Sequence, residues 1–193
     1  MAENSDRRDR LRDAAIEVLA AEGGRGLTHR ATDRVAGLPE GTAKNYFPTR
    51  GSLLQAAAER CVDRYFDDLQ QAEVHTVDQL LTLLRRLVDK ALTDNRSRVL
   101  AYLELNAEAA RNAQVRQTMA RLARADLDLH LALQQAAGLP ATRDGAALVT
   151  LAINGALAHL LSQPPDVLAS YGLDDIDTFL RRLIAATYPV RTA

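Results

Sequence analysis

The chain has 193 residues, 47% of them hydrophobic but only 4% aromatic, and carries a net charge of −1. That length admits one domain or a small domain fused to a larger one, and the near-neutral charge excludes a protein that grips nucleic acid by overall basicity. The core must be built from Leu, Ala and Val, and Leu and Ala favour helix, so the expected fold class is all-α.

The first helix is expected from about Asp6 to Glu22, with Ser5 as cap. Leu11, Ala15, Val18 and Leu19 form its apolar stripe. Gly23, Gly24 and Gly26 end it. A second, short helix follows Thr28, a good N-cap, and stops at Gly37. Pro39 is expected to open the third, where a missing N–H costs nothing. Pro48 closes the third helix and Thr49 caps a fourth, from about Arg50 to Val74.

Thr76 and Gln79 have capping-box spacing for a fifth helix reaching about Asp94. The sixth spans roughly Arg96 to Ala110 and the seventh Ala113 to Ala137, before Gly138 and Pro140. The eighth runs from about Thr142 to Gln163, stopped by Pro164 and Pro165. The ninth covers about Asp174 to Tyr188. The run "AALVTLAINGALAHLLSQ" in the eighth helix is interrupted by Thr150, Asn154 and His159, so it reads as a buried helix and not a membrane span.

Cys61 is the single cysteine and cannot form an internal disulfide, which fits a reducing cytosol. The start, "MAENSDRRDRLRD", is too polar for a signal peptide; a cytoplasmic location is expected. Catalysis finds little support. A di-iron bundle needs Glu-x-x-His pairs, and His29, His75, His130 and His159 are scattered without one. Cys61 has no neighbouring His, and no strand precedes a phosphate-binding Gly loop. No enzyme, metal or cofactor is expected.

The stretch with the clearest chemistry is Leu27 to Arg50. Ala43 and Phe47, four apart, share a face that turns inward. Thr42, Lys44, Asn45 and Tyr46 are then left for phosphates or base edges. Thr28 stands at a helix N-terminus that favours an anion, His29 and Arg30 follow it, and Arg50 supplies a cation on the other flank. A short helix with a free N-terminal half, turned tightly from a second helix, has the shape that enters a major groove. An ordinary surface helix pair would show the same pattern.

"LTHRATDRVAGLPEGTAKNYFPTRGSLL" resembles the N-terminal domain of the tetracycline-repressor (TetR) family of bacterial transcription regulators. The likeness rests on Thr28, Ala36-Gly37, Gly41-Thr42, Tyr46-Phe47, Arg50 and Leu53-Leu54. It implies a three-helix DNA-binding domain over residues 1–50 and a helical ligand-binding and dimerisation domain over 51–193. It also implies that Thr28, His29, Tyr46 and Arg50 contact phosphates and that Arg30, Thr42, Lys44 and Asn45 sit among the base readers. The sequence departs from the family at Lys44, where an aromatic is usual, at Pro39, and at Thr32 and Asp33. A buried Asp33 needs a partner, and Arg30 or Arg34 could supply it.

The implied partners are a palindromic double-stranded operator, a second copy of the chain and a small-molecule effector, with no membrane. The dimer face would be Ala147, Leu151, Asn154, Ala158 and Leu161 with Phe179, Leu180, Leu183 and Ile184. These stripes could equally be each subunit's own core. A ligand cavity would draw on Leu69, Leu84, Val88, Leu103, Met119 and Leu122, with Tyr65, Tyr102, Asn106, His130, Asn154 and His159 as polar candidates. Those His and Asn residues could instead be structural. The expected function is a ligand-responsive regulator, most simply a repressor released from its operator. Alternatives are an activator of the same family, or a small-molecule-binding or interaction protein with a degenerate helix-turn-helix.

Overall fold

A computed structural model describes residues 2–67 and 73–189, and among them every regular element is an α-helix. The helices are α1 (Ala2–Gly26), α2 (His29–Ala36), α3 (Thr42–Tyr46), α4 (Arg50–Asp67), α5 (Val77–Leu92), α6 (Arg96–Ala109), α7 (Ala113–Ala136), α8 (Arg143–Ser162), α9 (Pro165–Ser170) and α10 (Ile176–Thr187). They form two compact units. One comprises residues 1–70 and 95–122, the other residues 71–94 and 123–193. The expected pocket residue Leu69 lies outside the described residues.

In the first unit, α1 packs on α2, α4 and α6. Leu11, Leu19, Leu27, Leu53, Leu54 and Leu105 are all but fully buried there. Each such side chain contributes roughly 1.5–3 kcal/mol relative to exposure. Ala56, Ala57 and Ala58 are buried too, small enough for α4 to approach closely. A charged seam runs along the same contact: Arg60 bonds Asp13 at 2.8 and 2.9 Å, Arg64 adds a 3.0 Å contact to Asp13, and Arg12 reaches Asp63 at 2.7 Å.

In the second unit, α5, α8 and α10 pack together around Leu80, Leu84, Val88, Val149, Ile153, Leu180 and Ile184. Leu180 and Ile184 are therefore interior, at 1% and 5% exposure, and leave no surface for a second chain. Phe179 and Leu183 are only half-buried. On α8, Leu151 is 69% exposed and Leu148 61%, while Ala147, Asn154, Ala158 and Leu161 are half-buried. α8 is long and apolar enough to cross a membrane by length and composition, and just 28% of that stretch is buried within the chain.

Several helix ends differ from expectation. α1 begins at Ala2, which places Ser5 inside it, and its regular course breaks at Gly23 (φ 67°, ψ −175°). α3 begins at Thr42, not Pro39. The Pro164-Pro165 pair stops α8 but also starts α9, an extra short helix with proline in its first turn, where the missing N–H is harmless. The threonine caps act as read, but Gln79 accepts the N–H of His75 in place of the capping-box partner Thr76. Thr28, Thr76 and Thr142 each accept the third N–H of the helix they precede. Thr49 and Ser52 exchange the reciprocal bonds of a capping box.

Candidate nucleic-acid interface

The short α3 is held by its neighbour. Gly37 closes α2 in the left-handed region (φ 61°), and its N–H donates to Arg34 O. Four residues on, Gly41 (φ 93°) turns the chain into α3, a conformation that a side chain would strain. The N-terminus of α3 then faces Asp33 of α2. That carboxylate accepts the N–H of Gly41 at 2.8 Å and of Ala43 at 2.7 Å. Asp33 is 1% exposed, so it is buried but satisfied. Its partners are backbone donors, in place of the Arg30 or Arg34 the sequence suggested. An anion at a helix N-terminus is also favoured by the helix dipole.

The two arginines go elsewhere. Arg30 Nε meets Glu40 at 3.1 Å and Arg34 meets Glu22 at 2.8 Å. The Arg30 and Glu40 side chains are 83% and 72% exposed, and such pairs are worth about 0–1 kcal/mol. Arg30 is thus lightly held. Thr32, the other departure in α2, is buried and donates its hydroxyl to Thr28 O at 2.9 Å.

α3 is anchored by its interior face. Ala43 and Phe47 are buried in the same core as the leucines of α1, and the Arg8 guanidinium lies 5.2 Å from the centre of the Phe47 ring. His29 Nε2 lies 2.6 Å from Phe47 O, so the proton sits on Nε2 and the ring ties the start of α2 to the end of α3. Tyr46 is half-buried and donates its hydroxyl to Asn4 of α1. Thr42 is half-buried and donates to Pro39 O at 2.6 Å.

Lys44 and Asn45 are exposed and have no side-chain partner among the described residues. They stand on the outer side of the helix whose inner side is Ala43 and Phe47. Thr28 is exposed at the start of α2, its oxygen taken by Ala31 N–H and its proton free to donate. Arg50 is exposed at the start of α4 and donates to Gly24 O, beside the break in α1. The N–H of Gly24 in turn bonds Glu104 of α6 at 3.0 Å. The surface therefore offers two unengaged polar side chains on a short helix, with Thr28, Arg30 and Arg50 on neighbouring elements of the same unit. Asp33 is the residue whose role the sequence concealed. Its eight-residue separation from Gly41 was visible, but a carboxylate bonding backbone across a turn leaves no compositional trace.

The expected effector residues fall in both units. Tyr65, Tyr102, Leu103, Asn106, Met119 and Leu122 belong to the first; Leu84, Val88, His130, Asn154 and His159 to the second. Asn106 is exposed and bonds Tyr102 O at 3.1 Å, a solvated helical residue. His159 bonds Gly155 O at 2.9 Å and meets the Tyr171 ring edge-on. Met119 and Leu122 are core. An open cleft of about 620 Å³ in the first unit is lined by Arg50, Glu104, Glu108 and Arg111 among others, and by none of the expected residues.

Comparison with known proteins agrees with this architecture. The family model described as "Tetracyclin repressor-like, C-terminal domain" matches residues 75–186. A transcriptional regulator from Rhodococcus sp. Rha1 is similar in fold, with a TM-score of 0.74 at 19% identity over 93% of this chain and 95% of that one. A TetR-family member from Streptomyces coelicolor A3 gives 0.68 at 23% identity over 95% and 99%. The multidrug-binding protein EbrR, complexed with ethidium, gives 0.67 at 25% identity over 95% and 99%. No curated protein matches the chain in sequence. The family match spans more than half of the chain, and the N-terminal residues carry the helix-turn-helix that goes with it; the chain belongs to the tetracycline-repressor family of transcriptional regulators.

Proposed function

We propose that this chain acts as a homodimeric repressor that binds a palindromic operator and is released by a small organic molecule. The observation that carries the reading is the outward, unengaged pair Lys44 and Asn45 on an α3 fixed by Asp33, Ala43 and Phe47. A rigid, brief helix with free polar side chains suits insertion into a major groove. In this reading Lys44, Asn45 and Arg30 meet base edges and Thr28 and Arg50 meet phosphates, while Thr42 joins the first set and His29 and Tyr46 the second by giving up their bonds to Pro39 O, Phe47 O and Asn4. Residues 1–50 form the reading head, and residues 51–193 bind the effector and the second subunit.

Two half-sites about one helical turn apart, roughly 34–36 Å, demand two heads. The exposed Leu148 and Leu151, with Ala147, Asn154 and Ala158 beside them, support α8 as the face that meets the partner, joined by Phe179 and Leu183 of α10. Asn154 and His159 on the same helix argue against a lipid environment for it. An effector role is supported by EbrR, a neighbour in fold that binds ethidium. The effector must prefer the geometry that cannot bind DNA, or nothing shifts. In a cytosolic setting the protein binds and does not catalyse.

Selection of random duplex DNA on the purified chain tests the reading. A palindromic site, retained in a gel shift at physiological salt, is the expected outcome. Recovery of no enriched sequence would refute it.

A further inference from the structure

Three polar residues lie at four-residue intervals along α7: Asp126, His130 and Gln134. They share one face and are all buried, at 8%, 8% and 0% exposure. The surrounding core of the second unit is otherwise almost wholly aliphatic. Buried polar atoms ordinarily have partners, and here two do not: His130 Nδ1 and Gln134 Nε2.

Their hydrogen-bonding characters can be assigned. Asp126 Oδ1 lies 3.6 Å from His130 Nε2. That is too long for a hydrogen bond, yet close enough for the carboxylate to favour a proton on Nε2. Nδ1 is then an acceptor. Burial pushes the imidazole pKa down, and Asp126 opposes this only in part, so the ring is neutral at neutral pH. Gln134 Oε1 accepts the Tyr188 hydroxyl, which fixes the orientation of the amide and leaves Nε2 as a donor. One acceptor and one donor therefore stand a helical turn apart on one buried face.

We infer that His130 and Gln134, with Asp126 behind them, form the polar end of a small-molecule site in the second unit, built for an uncharged organic molecule that carries a hydrogen-bond donor beside an acceptor, as a primary amide or a hydroxyketone does. The molecule's N–H or O–H goes to His130 Nδ1 and its carbonyl to Gln134 Nε2. An anion is disfavoured beside Asp126. A metal is disfavoured because no group of three His, Cys, Asp or Glu side chains converges among the described residues. The aliphatic core receives the apolar remainder. Tyr188 borders the site through its bond to Gln134. Its hydroxyl would stand 2.7 Å from a Cβ at position 145, so Gly145 is what allows the ring to lie there.

This inference rests on the proposed effector response, and the experiment separates the two. Benzamide and 2-hydroxyacetophenone serve as neutral donor–acceptor probes. N,N-dimethylbenzamide lacks the donor, and benzoate is the anionic control. Each is titrated into the full chain to concentrations on the order of 10 mM, fitting for fragments, with the Gln134 side-chain amide followed by ¹H–¹⁵N NMR. That signal is assigned by its loss in Gln134→Leu, a substitution that also strands the Tyr188 hydroxyl, so the variant's fold is checked by its backbone spectrum before binding is compared. Saturable movement of the Gln134 signal by the two neutral probes is expected, with binding at least tenfold weaker for the two controls and for Gln134→Leu. Binding that leaves the signal unmoved, equal binding of benzoate, or no binding of either neutral probe would overturn the site. A moved signal with unchanged operator affinity keeps the site and removes the effector response. Release of operator by compounds that leave the signal unmoved removes the site and keeps the response.

Discussion

Asp33 shows how one side chain can fix the pose of a short helix. Its carboxylate replaces the hydrogen bonds that the first N–H groups of α3 cannot find within five residues of helix. Asp33→Ala removes a charged acceptor and strands two donors, so unfolding free energy should fall by about 2–4 kcal/mol in urea titration. Asp33→Asn, which keeps one acceptor oxygen, should lose less. Lys44 takes no part in holding the fold together. It is exposed and unengaged, so Lys44→Ala should leave the melting temperature unchanged and weaken operator binding by about 1–3 kcal/mol in a gel shift. Unchanged affinity would remove it from the reading surface. Arg50→Ala should weaken specific and non-specific binding alike and flatten the log K against log salt slope by about one unit. Cys61 has no such role: burial drives its thiol pKa up to about 12, which keeps it inert.

At the scale of elements, α1 and α4 are held by leucines, alanines and the Asp13–Arg60–Arg64 seam. Burial alone would raise the Asp13 carboxyl, but the hydrogen bonds and charges of Arg60 and Arg64 outweigh it and hold the pKa below the ordinary value. The folded pKa thus lies under the unfolded one, near 3.8. The seam's contribution is complete above that unfolded value and is lost as pH falls through the folded one. Acid titration by circular dichroism should show Asp13→Asn destabilised relative to wild type at pH 7, with the difference shrinking below about pH 4. A gap that stays constant down to pH 2 would contradict the assignment. The helix ends that the sequence misplaced share a cause. Ser5 and Pro39 carry good local signals, but α1 extends past the first, and α3 starts where Asp33 can reach its N–H groups. α9 was hidden because two prolines stop one helix and start another with the same residues.

For the whole molecule, the apolar surface of α8 is the feature that asks for a second chain. Leu151→Asp places a charge at a residue that is 69% exposed, so the subunit should fold normally while light scattering reports monomers. Persistent dimers would move the interface off α8. Leu183→Asp is a poorer probe, since Leu183 packs partly against its own subunit's core.

The sequence alone determined the helical class, most caps, the helix-turn-helix and two of its four expected outward residues, Lys44 and Asn45. These follow from short-range periodicity and from residue types with one dominant local use, such as Thr before a helix or Gly after one. Only the tertiary structure decided which apolar residues are interior, because a stripe on α10 looks the same whether it meets its own unit or another chain. It placed Leu180 and Ile184 inside and Leu148 outside. It likewise found Asp33 its backbone partners and left His130 and Gln134 short of theirs. Partners far apart along the chain are chosen by packing, and packing is a property of all the helices of a unit at once.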